Sequence, residues 1–326
     1  MEAWKQAVVL ISLAALALLF VCAARGADGG DGLALRKLLY SIRKQTLASL
    51  NQYSPPSRQD RRIVYEACGR LVESIEDAQV TATKDQFERI GFVVDLFQEK
   101  GERIALLHEN ENKLHGGGIY LFKKFENDRC KVLMAPHGFF DVNTSRISVE
   151  AFFETGAHAL LLNSAHRFTG DREARSDRYG TDFAHRADNY YFAVFQALAD
   201  RCQKGAFIQL HGFEPDSGRA QSEQTFDVIV SGGDDAGPRL KAGKRAAAIV
   251  REAFPDLKVA VYGIEVKAAL GGETNVHNRY LRKKEKIAFV HIEMDKELRK
   301  RLAEGKDDAR RFYKLLDKLF EADLTP

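Results

Sequence analysis

Two hydrophobic patterns divide the chain. From Leu33 to about Leu107 the apolar positions follow helical spacing, with Leu35, Leu38, Leu39, Ile42, Leu47 and Leu50 forming the stripe of an amphipathic helix. Ser54-Pro55-Pro56-Ser57 breaks that stripe. A second helix is expected from about Arg61 to Ala78. Thr83 with Gln86 would cap a third, ending before the polar Glu109-Asn110-Glu111-Asn112.

At Gly116-Gly117-Gly118 the pattern changes, and short apolar runs begin to alternate with helical stretches. Strands are expected at Ile119–Phe122, Lys131–Ala135, Ala159–Asn163, Ala206–His211, Asp227–Ser231, Val259–Tyr262 and Ile287–Met294. Helices are expected at Ser145–Glu154, Asp188–Cys202, Pro238–Phe254, Asp295–Ala303 and Asp308–Leu319. This alternation gives an α/β fold: a mixed, mostly parallel sheet flanked by helices and preceded by a helical N-terminal arm. The expected division is a signal peptide or anchor over 1–27, a helical region over 28–115 and an α/β domain over 116–326.

The N-terminus adds a destination. Lys5 precedes an unbroken apolar run from Ala7 to Ala24, followed by Arg25-Gly26-Ala27. A basic start, an apolar middle and small residues describe a secretory signal. The rival is an uncleaved anchor, since about 20 apolar residues span a bilayer. A periplasmic or secreted protein is expected, touching a membrane only through an uncleaved N-terminal segment. The net charge of +3, with no long basic block, gives no reason to expect a nucleic acid partner. Without Cys22 in the signal, Cys68, Cys130 and Cys202 remain, at spacings that match no zinc ribbon or redox pair. One disulfide with one buried thiol would suit an oxidising compartment, and three core thiols would fit equally.

Candidate chemistry gathers at strand ends, where open α/β sheets bind ligands. His137 follows Leu133–Ala135, Asn163 follows Ala159–Leu162, His211 ends Phe207–Leu210, and Glu293 lies near the end of the last strand. A helical bend after Ala135 would turn His137 and Asp141, four apart, toward one point. Imidazole and carboxylate are both zinc ligands, and a catalytic zinc takes three protein ligands. Alone, either histidine merely caps a strand, but His-Gly-Phe recurs at two strand ends, 137–139 and 211–213. The period of two places His291 and Glu293 on one face of their strand. Glu293 is then a buried carboxylate: a general base, or a core salt bridge to Arg299.

The order His137-x-x-x-Asp141, Thr144, Leu210-His211-Gly212, Ser231-Gly232-Gly233, Leu270-Gly271-Gly272 with Asn275, Asn278-Arg279, and His291-Ile292-Glu293 with Leu298-Arg299 resembles the zinc-dependent poly-γ-glutamate hydrolases. More distantly it resembles the N-formylglutamate amidohydrolases and zinc carboxypeptidases. The resemblance runs from about Met134 to Leu302. It implies an open α/β sandwich, one zinc, and hydrolysis of an amide near a carboxylate. On these positions His137, Asp141 and His211 would be ligands and Glu293 the general base. Asp141 stands where the family usually has glutamate, so its loop must approach more closely. The long stretch Ala159–Asp188 departs from the poly-γ-glutamate pattern, so the substrate does not carry over.

A carboxylate-bearing substrate calls for an arginine, whose fork matches two oxygens. Arg167 and Arg279 are the candidates, with Asn275 and Asn163 as further substrate-binding residues. The function expected is an exported zinc hydrolase cleaving a peptide, γ-glutamyl or cell-wall amide bond. The alternative is a non-catalytic envelope protein that binds peptide or glycan in a hydrolase-like cleft.

Overall fold

The computed structural model describes residues 31–48, 52–125, 129–171, 179–214, 226–267 and 270–325. The expected signal or anchor over 1–27, with Cys22, lies outside the described residues. No helix among them is long and apolar enough to cross a membrane.

Helix α1 (Asp31–Ala48) buries Leu35, Leu39 and Ile42, the stripe seen in the sequence. After the Pro55-Pro56 break comes α2 (Arg58–Glu73), opened by a capping box in which Ser57 and Asp60 satisfy each other's backbone N–H. α3 is Asp77–Arg89 with Glu76 at its N-cap. Thr83 is no cap: it sits inside α3, fully buried, and its hydroxyl donates to the Val80 carbonyl at 3.0 Å.

The helical reading of the stretch before Leu107 fails beyond Arg89. Strands β1 (Phe92–Glu99) and β2 (Glu102–Glu109) form an antiparallel hairpin there. Its two-residue turn places Lys100 at φ 50° and Gly101 at φ 82°. Positive φ at both central residues matches the strands' twist, and Gly101 adopts it without strain. The hairpin joins β3 (Ile119–Phe122) in the main sheet. The expected boundary at 115/116 therefore falls between two strands that pair.

The remaining elements are β4 (Arg129–Ala135), α4 (Thr144–Glu154), β5 (Ala159–Leu162), α5 (Tyr190–Arg201) and β6 (Lys204–Gly212). Then come β7 (Val228–Ser231), α6 (Gly237–Ala253), β8 (Val259–Val261), α7 (Val276–Leu281), β9 (Ile287–Met294), α8 (Lys296–Glu304) and α9 (Lys306–Glu321). The sheet order is β1-β2-β3-β5-β4-β6-β9-β7-β8. β5, β4, β6 and β9 run parallel at its centre, while β3 and β7 are antiparallel to their inner neighbours β5 and β9. This is the mixed α/β sheet that the alternation predicts.

Strand residues alternate between two cores. Leu133, Ala135, Leu210 and Ile292 face one packed by α1, α4, α6, α8 and α9. Val132, Met134, Phe207 and Phe289 face another built with α2, α3 and α5. Cover on both faces makes the central strands continuously apolar, and each fully buried aliphatic side chain stabilises by about 1.5–3 kcal/mol. Cys130 at the start of β4 and Cys202 just after α5 form a disulfide, while Cys68 is a buried free thiol.

Candidate metal centre

At the end of β4 the chain bends into one helical turn. The Phe140 and Asp141 N–H groups both donate to the His137 carbonyl at 2.8 Å. That bend aims the two side chains the same way, His137 Nδ1 lying 3.8 Å from Asp141 Oδ2. His211 enters from β6, with Nδ1 3.2 Å from the same oxygen. All three side chains are buried, at 3 or 4 % exposure. Their ligand atoms lie within 4.8 Å of one another, close enough for one ion.

The outward-facing nitrogens are held from behind. His137 Nε2 donates to Asp182 Oδ1 at 2.8 Å, and Arg167 donates to the other Asp182 oxygen at 3.2 Å. His211 Nε2 donates to Gln209 Oε1 at 3.2 Å, an oxygen that also accepts from Asn275 Nδ2 at 2.7 Å. These bonds leave each Nδ1 with a lone pair toward Asp141. Burial, the largest influence, pushes His137 down to about 4 and His211 down to about 3, with the Arg167 charge adding to both. Both rings are neutral at pH 7, as ligands must be. Burial alone would raise Asp182, but its bond from His137 and the charge of Arg167 hold it well below the usual carboxylate range.

Asp141 is the discordant member. Burial raises its pKa, and Oδ2 has no hydrogen-bond partner among the described residues. A buried carboxylate oxygen facing two imidazole lone pairs is costly as it stands. A divalent cation would satisfy all three at once, and the donor set of two imidazoles and one carboxylate is one that zinc accepts. The residues fit the metal.

Glu293 stands beside His211, since the two are register partners on β9 and β6. Its Oε1 lies 3.8 Å from His291 Nε2, and the His291 ring packs 4.5 Å from His211. The expected alternative, a core salt bridge to Arg299, does not form. Arg299 donates instead to the carbonyls of Val142, Phe213 and Met294 and to Glu214. One buried guanidinium thus ties together the segments that carry Asp141, His211 and Glu293. Gly212 is small for this reason: a Cβ there would lie 2.4 Å from Arg299 Nε.

His137, Asp141, His211 and Glu293 open onto a cleft of about 310 Å³, lined also by Phe140, Arg167, Asp182, His185, Asn275 and His291. Of the four expected substrate-binding residues, Arg167 and Asn275 line it. Asn275 caps α7, accepting from the His277 and Asn278 N–H groups, and its amide holds Gln209. Asn163 is turned away. Its amide donates to the Pro136 and Thr181 carbonyls and its oxygen accepts from Ala165 N–H, so it braces loops. Arg279 is exposed on α7 and does not line the cleft. Ser231 spends its hydroxyl on the Gly271 carbonyl, which makes the Ser-Gly-Gly loop a brace. Sequence reasoning missed Asp182 and Gln209. Gln209 carried a signal, sharing a strand face with His211 two residues on, whereas Asp182 lies in a loop with no pattern to mark it.

No protein-family model and no curated protein matches the chain. Solved structures do. One is an N-formylglutamate amidohydrolase from Ralstonia eutropha JMP134, at 14% identity and TM-score 0.36, covering 60% of this chain and 92% of that one. Another is a metallo-carboxypeptidase from Pseudomonas aeruginosa in complex with (2-guanidinoethylmercapto)succinic acid, at 15% identity and TM-score 0.36, covering 82% of this chain and 68% of that one.

Proposed function

We propose that this chain is an exported zinc-dependent hydrolase that cleaves an amide bond in a peptide-like or carboxylate-bearing substrate. The observation that carries the reading is Asp141 Oδ2, buried without a hydrogen-bond partner among the described residues and faced by the Nδ1 atoms of His137 and His211. Zinc, when bound, supplies a Lewis acid that polarises a carbonyl and brings the pKa of water down to about 7. His137, Asp141 and His211 hold it, and Asp182 and Gln209 fix which ring nitrogen faces it. Glu293, beside His211, takes a proton from the attacking water at its carboxylate and returns it to the leaving nitrogen. Arg167, half-buried at the cleft wall, anchors a substrate carboxylate through donors that Asp182 does not use. The Cys130–Cys202 disulfide supports the export reading, because such bonds persist in oxidising compartments.

Metal analysis of the purified protein tests this. About one zinc per chain is expected, and Glu293→Gln should keep that zinc while losing turnover on N-acyl amino acids by about 10²–10⁴-fold. Absence of zinc after purification in zinc-containing buffer would end the reading. So would full activity in the Gln variant.

A further inference from the structure

Hydrogen-bond direction around His211 traces back to a point where it admits no choice. Asn275 Oδ1 accepts from the backbone N–H of His277 at 3.0 Å and from that of Asn278 at 3.5 Å, capping α7. Backbone nitrogens only donate, so the oxygen of this amide faces them and its NH2 group faces the other way. The NH2 group donates to Gln209 at 2.7 Å, which fixes the Gln209 atom there as the oxygen. The same oxygen lies 3.2 Å from His211 Nε2, and two donors match its two lone pairs. His211 therefore carries its proton on Nε2 and turns a bare Nδ1 toward Asp141.

The other end of the Gln209 amide extends the chain. Its Nε2 lies 3.7 Å from Met134 Sδ, a weak acceptor, and 2.9 Å from His277 Nδ1. An amide nitrogen has no lone pair to offer, so His277 Nδ1 accepts and the ring proton sits on Nε2. His277 is fully buried, with its ring centroid 4.6 Å from that of Phe195, 5.5 Å from Tyr191 and 5.7 Å from Phe192. Burial among these rings pushes its pKa down, which keeps the ring neutral and able to accept. Nδ1 also lies 3.0 Å from Asn275 Oδ1. A proton placed on Nδ1 to serve that oxygen would take away the acceptor of the Gln209 N–H, whereas Asn275 Oδ1 already has two donors.

Resting on the metal reading above, we propose that His277 is a positioning residue for the metal ligand His211. Acting through Gln209, it holds His211 in the tautomer that offers Nδ1. A polar ring in an aromatic core is costly to bury, and the bond from Gln209 is what the position gains by it. His277 stands behind the cleft and does not line it.

Nitrogen NMR of the histidine-labelled, zinc-free protein reads the tautomers before metal or turnover enters. Protons on Nε2 of both His211 and His277 are expected, and a proton on Nδ1 of either overturns the proposal. Two substitutions then separate positioning from packing. His277→Phe keeps a ring among rings but removes the acceptor, and should weaken zinc binding about ten-fold in a chelator competition while mixing the His211 tautomers. His277→Asn loses more packing but brings its Oδ1 close to where Nδ1 stood. It should stay within about three-fold of the unsubstituted affinity and keep the His211 proton on Nε2. A packing role alone predicts the reverse order, because the smaller side chain leaves a cavity. Equal zinc affinity in all three proteins, or tighter zinc in the Phe variant than in the Asn variant, would overturn the proposal. Should a variant fail to fold, the tautomers of the unsubstituted protein decide alone. If those tautomers are found in a protein that takes up no zinc, the hydrogen-bond chain stands and the hydrolase reading falls.

Discussion

Glu109 and Asp141 are both buried carboxylates at the same edge of the sheet, 4 and 3 % exposed, yet their surroundings treat them differently. Each oxygen of Glu109 receives a hydrogen bond at 2.6 Å, one from the His115 N–H and one from the Ser164 hydroxyl. The hydroxyl accepts in turn from the Gly118 N–H at 2.7 Å, so both oxygens of this carboxylate are satisfied within the protein. Asp141 keeps one oxygen without a hydrogen bond and aims it at two neutral imidazoles. Closed networks hold loops in place, whereas an incomplete one at a cleft is a socket for a guest. The contrast separates scaffold from site without any appeal to fold.

Substitutions on the two sides should therefore fail in opposite ways. The largest effect is expected for His211→Ala, which should bring zinc per chain to near zero by metal analysis while circular dichroism still reports the fold. Glu109→Ala should do the reverse, lowering stability in denaturant titration by roughly 3 kcal/mol because the His115 and Ser164 donors lose their acceptor. Zinc content should stay at that of the unsubstituted protein, and a loss of zinc there would erase the distinction between the networks. Gln209→Met should weaken zinc binding about 10–100-fold in a chelator competition, since nothing would then fix the His211 tautomer. The smallest effect is the most diagnostic. Asp141→Asn should raise the stability of the metal-free protein by about 1 kcal/mol, because the buried charge is removed. If it instead destabilises the metal-free fold, Asp141 belongs with the scaffold.

The sequence made the sheet legible from β3 onward because its strands there are largely continuous apolar runs. Ile119–Phe122 and Ile287–Met294 fall where expected, and β4, β6 and β7 differ by residues at their ends. The hairpin Phe92–Glu109 was hidden because its apolar residues come in pairs and runs, Val93-Val94, Leu96-Phe97 and Ile104–Leu107, without the alternation that marks a strand. Its one signal was Gly101 in a two-residue turn between apolar runs, with lysine rather than asparagine before it. His137, Asp141, His211 and Glu293 converge as the strand-end argument expects. Arg279 and Asn163 do not face the cleft, because side-chain direction in loops and short helices depends on packing that no local pattern encodes. Asp182 is illegible for the same reason, reaching His137 from 45 positions away.

Arg299 gives the molecule a division of labour over evolutionary time. Because one guanidinium sets the spacing of the three segments that carry Asp141, His211 and Glu293, the loop bearing Phe168 need not set it. Its side chains can be exchanged for others while His137, Asp141, His211 and Glu293 keep their spacing. Descendants of this chain could thus vary that loop without disturbing the cluster of buried histidines and carboxylates.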